Sequence, residues 1–435
     1  MNIENKILFS RFMTRSGDQA WDFAVPLVLI QLFPTNMRVA FIYFFVVKLG
    51  TVIFMPMVGR HIDNLSRKRS LQLGIGIQTV FVFMSATTIH SLSLLDTKIL
   101  ALNFNCLIPF ALLVIFGFLS TVGANIMDIS VASDLVPSVL TPDKLPSFNS
   151  RFRRLDLLTE VTSPIIAGSL LLISSSGIPL LGFYLILCWN IISFYPEYLL
   201  LNQIISEDPP LNEKNPATDN IKRRGFIEVL NTGWTTFTKQ PISMVIISYA
   251  LLWISVLSPH GVLLTAFLKS GWSLPEPLIG VFRASGAIFG LCATFLYPRA
   301  HKRFGLVRTS KFFIIFQAAM VFLALISFLS NGFSAQVIFL IFILLSRVGL
   351  YGFSLAETEL RQISIPEKLR GEINGVASSL TSLATLLIFG IGIFLSSKQQ
   401  FKYLVFISAS SILAAAIVFN LFLSKSYYNS LVTKK

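Results

Sequence analysis

The 435 residues are 54% hydrophobic and only 13% charged, and Phe alone contributes 40. A water-soluble globule has no means of covering that much apolar surface, so soluble, disordered and disulfide-framework proteins are excluded and a polytopic membrane protein is left. The excess of 35 Lys and Arg over 21 Asp and Glu, formally +14, falls in short clusters between apolar runs, a pattern of membrane topology rather than of nucleic-acid binding.

Twelve stretches are apolar enough to cross a bilayer as helices of about 20 residues: 7–33, 38–60, 70–93, 99–127, 152–174, 178–204, 240–268, 276–298, 308–330, 334–356, 371–396 and 400–424. Runs such as Phe313–Ser330, apolar apart from Gln317 and two serines, rule out the alternation of a membrane β-barrel. The expected class is therefore an all-α membrane protein. No cleavable signal is read in Met1–Arg15, which contains Glu4, Lys6 and Arg11. Cys106, Cys188 and Cys292 lie in apolar runs without CxxC spacing, so no zinc site or disulfide framework is expected.

Span one carries Thr14, Asp18 and Asp22 at i, i+4 and i+8, on one helical face, just after Ser16-Gly17. The turn after span two runs from Gly59 through Asp63 to Arg67-Lys68-Arg69. Span three holds Gln78, and Asp134 stands near the end of span four. Arg151, Arg153, Arg154 and Asp156 open span five. Span six carries Asn190, Ser193 and Glu197 at i, i+3 and i+7, again one face. A polar stretch, Ser206–Gly225, then divides the chain into an N-lobe (1–205), a linker (206–226) and a C-lobe (227–435), six spans to each lobe. Span seven is interrupted by Ser258-Pro259-His260-Gly261, and span eleven follows Lys368 and Arg370.

The basic clusters alternate with charge-poor loops at Thr35–Met37, Ser174–Gly177 and Ser330–Gly332. All the clusters, including Lys222-Arg223-Arg224, then share one face with both termini, and that face is expected to be cytoplasmic. The turn after span eight, Tyr297–Gly305, echoes the basic turn after span two, as two stacked repeats predict. The first of these turns resembles the G-x-x-x-D-x-x-x-R-[KR]-[RK] signature of major-facilitator transporters.

Ionisable groups at bilayer depth are costly unless paired or facing water, so they mark pathways. If the faces of spans one, three and six converge, they offer carboxylate, amide and hydroxyl oxygens. Such oxygens suit Ca²⁺, Mg²⁺ or Mn²⁺, and bind Fe²⁺ or Co²⁺ weakly. The alternative is hydrogen bonding between helices. His260 beside carbonyls freed by the span-seven break is a second candidate metal site. Asp134, Arg154, Asp156 and Arg370 are candidates for gate ion pairs, with helix-end capping and snorkelling as the alternative. No P-loop, H-E-x-x-H or nucleophile elbow occurs, so no enzyme is expected.

Thr14-Arg15-Ser16-Gly17-Asp18-Gln19-Ala20-Trp21-Asp22-Phe23-Ala24-Val25 resembles the first-helix signature of the ferroportin family. Arg153-Arg154-Leu155-Asp156, Trp189-Asn190 with Glu197-Tyr198, and Arg370-Gly371-Glu372-Ile373-Asn374-Gly375-Val376 are similar to further motifs of that family. The resemblance implies a two-lobe, twelve-helix major-facilitator exporter of ferrous iron and Co²⁺, working by alternating access. It implies an iron site at Asp18 with Thr14, Asn190, Ser193 and Phe194. It also implies an activating Ca²⁺ held by Asp18, Gln78, Asn190 and Glu197, and a gate pair of Asp134 with Arg370. Asp22 and Ile388 stand where animal members have metal-binding histidines, and His260 stands where they have a Cys. That leaves His260 with the carbonyls of the break as the C-lobe expectation. A monomer in a bacterial inner membrane is expected. The competing reading is a major-facilitator exporter of organic compounds.

Overall fold

The computed structural model describes residues 2–33, 38–95, 104–173, 180–212, 226–259, 261–330, 332–395 and 399–424. The loops Thr35–Met37 and Ser174–Gly177, the triplet Lys222-Arg223-Arg224, and His260 lie outside the described residues. The chain is helical throughout, with no strand among the described residues.

α1 (Ile3–Leu32) starts where the Asn2 side chain accepts the Asn5 N–H, satisfying one of the amides a helix leaves open at its start. A short turn joins α2 (Arg38–Asp63) to α3 (Arg67–Ser93), which Ser66 caps. α4 (Phe104–Asp128) widens into a π-helix, Ile129–Leu135, before the single turn α5 (Val136–Val139). α6 (Leu145–Leu171), α7 (Leu181–Glu207) and α8 (Phe226–Lys239) follow. Span seven is two short helices, α9 (Ser243–Leu252) and α10 (Val262–Ser270). α11 (Glu276–Leu329) covers the predicted spans eight and nine in one run, and its helical geometry fails at Gly305, where φ is 77°. Only glycine enters that region at little cost, so the two spans are joined by a kink in place of a loop. α12 (Phe333–Ser364), α13 (Arg370–Phe394) and α14 (Phe401–Ser424) complete the chain.

Eight of the described helical stretches are long and apolar enough to cross a membrane. α1 and α6 fall outside that set because each carries charged residues along its length, among them Lys6, Arg11, Arg15, Asp18 and Asp22 in α1. α9 and α10 are each too short. Ile165, Ile192 and Phe394 are among many large apolar side chains left exposed. Water would not tolerate such a surface, but lipid does. The chain is an integral membrane protein.

The chain forms two compact units. The first comprises 1–139, 158–233 and 367–379; the second comprises 140–157, 234–366 and 380–435. The division therefore falls inside α6, α8 and α13. The first unit packs Trp21, Ala24 and Val28 of α1 against Val82 and Ala86 of α3, Phe110 of α4 and Phe183 of α7. In the second, Phe267 of α10 stacks on Phe401 of α14 at 3.9 Å between ring centroids. The Ser248 hydroxyl of α9 donates to the Ala415 carbonyl of α14 at 2.7 Å.

Candidate metal site

α1 and α7 cross at Gly17, and the absence of a side chain there sets the site. A Cβ on Gly17 would lie 2.6 Å from Ser193 Oγ and 2.9 Å from Asn190 Cα. This contact brings Asp18 onto Asn190. Asp18 Oδ1 accepts from Asn190 Nδ2 at 3.2 Å and from Gln78 Nε2 of α3 at 2.9 Å. Pro196 sits one residue before Glu197; lacking an N–H, it leaves the α7 ladder incomplete between Asn190 and Glu197. The Glu197 carboxyl lies beside Thr14 and within electrostatic range of Asp18.

Gln78, Asn190 and Glu197 are 3%, 0% and 4% exposed. Gln78 Oε1, Asn190 Oδ1 and Glu197 Oε2 accept no hydrogen bond. Buried acceptors are nearly always paired, so three orphaned oxygens on residues beside one carboxylate are a donor set that a cation would satisfy. The set is oxygen-only, which fits a hard or borderline divalent ion. No group of three His, Cys, Asp or Glu gathers for a metal among the described residues. The site depends on amide oxygens as well as carboxylates.

The other predicted ligands are placed differently. The Ser193 hydroxyl donates to the Asn190 carbonyl at 2.6 Å, and its oxygen is the atom pressed against Gly17. The Thr14 hydroxyl donates to the Ser10 carbonyl at 3.2 Å. Phe194 is buried. Asp22 is exposed on α1, in electrostatic range of Arg15 and Lys48. We predict that Gly17→Leu weakens divalent-cation binding by about 10–100-fold, as displaced ligands do, with helix content by circular dichroism unchanged. Undiminished binding would show that the α1–α7 contact does not set the site.

A charge cluster lies where α3, the π-helix and the start of α13 meet in the first unit. Asp134, 2% exposed, accepts from Arg67 Nε and Nη2, both at 3.1 Å, and from Arg370 Nη1 at 3.3 Å. Arg67 also pairs with Glu367. Both arginines donate to Ser138 Oγ, at 2.8 and 2.9 Å. Asp134 and Arg370 thus meet as expected, and Arg67 is the partner the prediction missed. Its signal was available, because Arg67 belongs to the basic turn after span two. Arg154 and Asp156 belong to the second unit. Arg154 donates to Thr294 Oγ1 at 3.0 Å and lies over the Phe295 ring, and Asp156 faces Arg153 at 3.7 Å.

Asp63 accepts the Gly371 and Glu372 N–H groups at 2.6 and 2.8 Å. Its carboxylate therefore caps α13, where open amides and the helix dipole favour negative charge. α2 and α13 touch backbone to backbone here, since a Cβ on Gly59 would lie 2.1 Å from the Gly371 carbonyl oxygen.

The fold has relatives at low identity. The major-facilitator transporter FucP, crystallised in an outward conformation, superimposes with a TM-score of 0.64 at 11% identity, over 96% of this chain and 98% of that one. That likeness shows a membrane protein of the major-facilitator fold. A family model for Ferroportin1 (FPN1) matches residues 2–412. Ferreportin of Bdellovibrio bacteriovorus is 41% identical over 428 residues, 96% of this chain and 94% of its own. The chain belongs to the ferroportin family, whose members are transporters and not enzymes. The crystal structure of a bacterial homologue of the iron transporter ferroportin in an outward-facing state matches with a TM-score of 0.90 at 41% identity, over 98% of this chain and all of that one. With soaked iron, such a homologue gives 0.89 at 40% identity over 98% and 100%. In the inward-facing state it gives 0.67 at 40% over 97% and 99%.

Proposed function

We propose that this protein exports divalent transition metal, with ferrous iron as its cargo and Co²⁺ as an accepted substitute, by alternating access. The observation that carries the proposal is the set of three unpartnered oxygens on Gln78, Asn190 and Glu197 around Asp18. The soaked iron in a bacterial homologue and the existence of that homologue in outward- and inward-facing states support the reading. Asp18 is the ligand proposed for the cargo, with Thr14, Asn190, Ser193 and Phe194 around it. Weak oxygen ligation suits transport, since the ion must also leave.

The same donors fit Ca²⁺, and Asp18, Gln78, Asn190 and Glu197 would hold it as an activating ion. Ca²⁺ there would supply positive charge that ties α1, α3 and α7 together. Two lobes of six spans, 1–205 and 227–435 with the linker 206–226 between, are proposed as the moving parts. A close-packing echo supports the repeat: Cβ atoms on Gly123 and Gly349 would lie 2.6 and 2.7 Å from the backbone nitrogens of Gln78 and Gln317. The cluster of Asp134, Arg67 and Arg370 is proposed as the gate, on a cytoplasmic face that also holds both termini. A monomer in a bacterial inner membrane completes the proposal.

The test is Co²⁺ or Fe²⁺ flux into liposomes holding the protein and a metal-quenched dye, with and without Ca²⁺. Metal flux is expected, and Ca²⁺ is expected to raise it. Folded protein that moves an organic dye and no metal at any Ca²⁺ concentration would overturn the reading in favour of organic cargo. Glu197→Gln is expected to raise the Ca²⁺ concentration needed for half-stimulation by about 10–100-fold, the usual cost of a weakened ligand shell. An unchanged Ca²⁺ midpoint would remove Glu197 from the Ca²⁺ site.

A further inference from the structure

α11 carries Pro298 inside its helical run. Proline has no N–H, so the Thr294 carbonyl, four residues back, loses its helical donor. Arg154 of α6 supplies another. Its Nη2 donates to the Thr294 carbonyl at 3.1 Å, and its Nε donates to Thr294 Oγ1 at 3.0 Å. The Thr294 hydroxyl is held in turn, donating to the Leu291 carbonyl at 2.7 Å. Two bonds to one residue fix the guanidinium, and its carbon stands 3.7 Å from the centre of the Phe295 ring. Its remaining nitrogen, Nη1, makes no hydrogen bond, and no carboxylate pairs with Arg154, among the described residues.

Arg151 and Arg299 lie within electrostatic range of Arg154. Arg299 is exposed and donates its Nη1 to the Phe295 carbonyl at 2.9 Å. Three like charges gathered in one place repel unless an anion joins them. The surroundings say which anion. Phe295 and Leu296 are each 47% exposed, and Val281 and Ile288 of the same helix are more so, so lipid covers this stretch of α11. From Arg299 onward the helix turns basic, with Lys302 and Arg303 following. The arginines therefore stand where an acyl-chain surface gives way to a polar one, which is the depth of phospholipid headgroups. A phosphodiester matches the arginine fork, and its acyl chains would lie along Phe295 and Leu296. A zwitterionic headgroup brings its own cation to three others, whereas a net negative one does not. We propose that Arg151, Arg154 and Arg299 form a binding site for the headgroup phosphate of an anionic phospholipid, on the lipid-facing side of α6 and α11 in the second unit.

The test titrates the full chain in detergent with phosphatidylglycerol and phosphatidylcholine of equal chain length, and counts bound lipid by native mass spectrometry. The first phosphatidylglycerol is expected to bind more tightly than phosphatidylcholine. Arg154→Gln and Arg299→Gln are each expected to weaken it about fivefold, which is what one basic residue beside anionic headgroups contributes. Phosphatidylcholine binding is expected to keep its parental value in both. Lys402→Gln removes the same charge from α14, at an exposed position, and is expected to change neither lipid. Inorganic phosphate at millimolar concentration is expected to leave phosphatidylglycerol bound, because it brings no acyl chain to Phe295. Equal affinity of the parent for the two lipids would reduce the arginines to snorkelling and overturn the proposal. Parental phosphatidylglycerol affinity in the folded arginine variants, or an equal loss in Lys402→Gln, would overturn it as well. Displacement by inorganic phosphate would make the ligand a free anion and overturn the lipid assignment. If Arg154→Gln fails to fold, the exposed Arg299→Gln change reads the same outcomes.

Discussion

Asp18→Ala is expected to reduce Co²⁺ and Fe²⁺ flux by about 100-fold or more, the upper end of what loss of an ordering group around a metal costs. The reason lies in the geometry. Asp18 Oδ1 is the common acceptor for Gln78 Nε2 and Asn190 Nδ2, so the one carboxylate orients both amides. Removing it takes away the proposed ligand and also leaves two buried amides without their acceptor. Asp18→Asn separates these effects. It retains an oxygen for one amide but removes the charge, and it is expected to lose flux nearly as fully while keeping more thermal stability than the alanine protein. Flux and Co²⁺ binding in dye-loaded liposomes and by dialysis check both variants. Wild-type flux from either would place the transport site elsewhere in the chain.

Gly59→Val is expected to be the second severe change. Its Cβ would begin 2.1 Å from a backbone oxygen of α13, and a backbone atom has no rotamer by which to yield. Overpacking of this kind costs about 1–3 kcal/mol, and the added methyls raise it further. α2 and α13 must separate, which pulls Asp63 from the Gly371 and Glu372 amides. Asp63→Ala removes the same cap without steric strain. Loss of a capping side chain costs about 0.5–2 kcal/mol. Both variants are expected to lower the melting temperature, with Gly59→Val the lower of the two. Both are also expected to make a cysteine placed at Ser138 react faster with a water-soluble maleimide. A Gly59→Val protein with parental melting and labelling rate would contradict the close α2–α13 contact.

Much of the first unit was legible from spacing. Thr14, Asp18 and Asp22 repeat at one helical face, as do Asn190, Ser193 and Glu197, and the structure brings Asp18 and Asn190 together. What brings them together was harder to read. Gly17 sets the approach by having no side chain, and an absent side chain has no periodicity. Charge near a helix end says nothing about its partner across the bundle, so the partners of Asp134, Arg154, Asp156 and Arg370 were not legible. Arg67 lay in a turn read for topology, and its two hydrogen bonds to Asp134 depend on a π-helical segment without sequence signature. The fold class followed from composition, since 54% hydrophobic residues admit few architectures. The broken span seven followed from Pro259 and Gly261.

The π-helix at Ile129–Leu135 makes the Asp134 cluster a matter of helical phase. A π turn closes from i to i+5, one residue later than an α turn, while each α-helical residue turns the chain by about 100°. The segment therefore accommodates a residue that a regular α-helix would have rotated onward. Asp134 lies within it, and its aim at Arg67 is set by how many residues precede it as well as by its own chemistry. Chain length is the sensitive variable here. Deleting one residue between Ile129 and Ala132 would let the ladder revert to α geometry and swing the carboxylate off its arginines, although every charged group of the cluster would still be present.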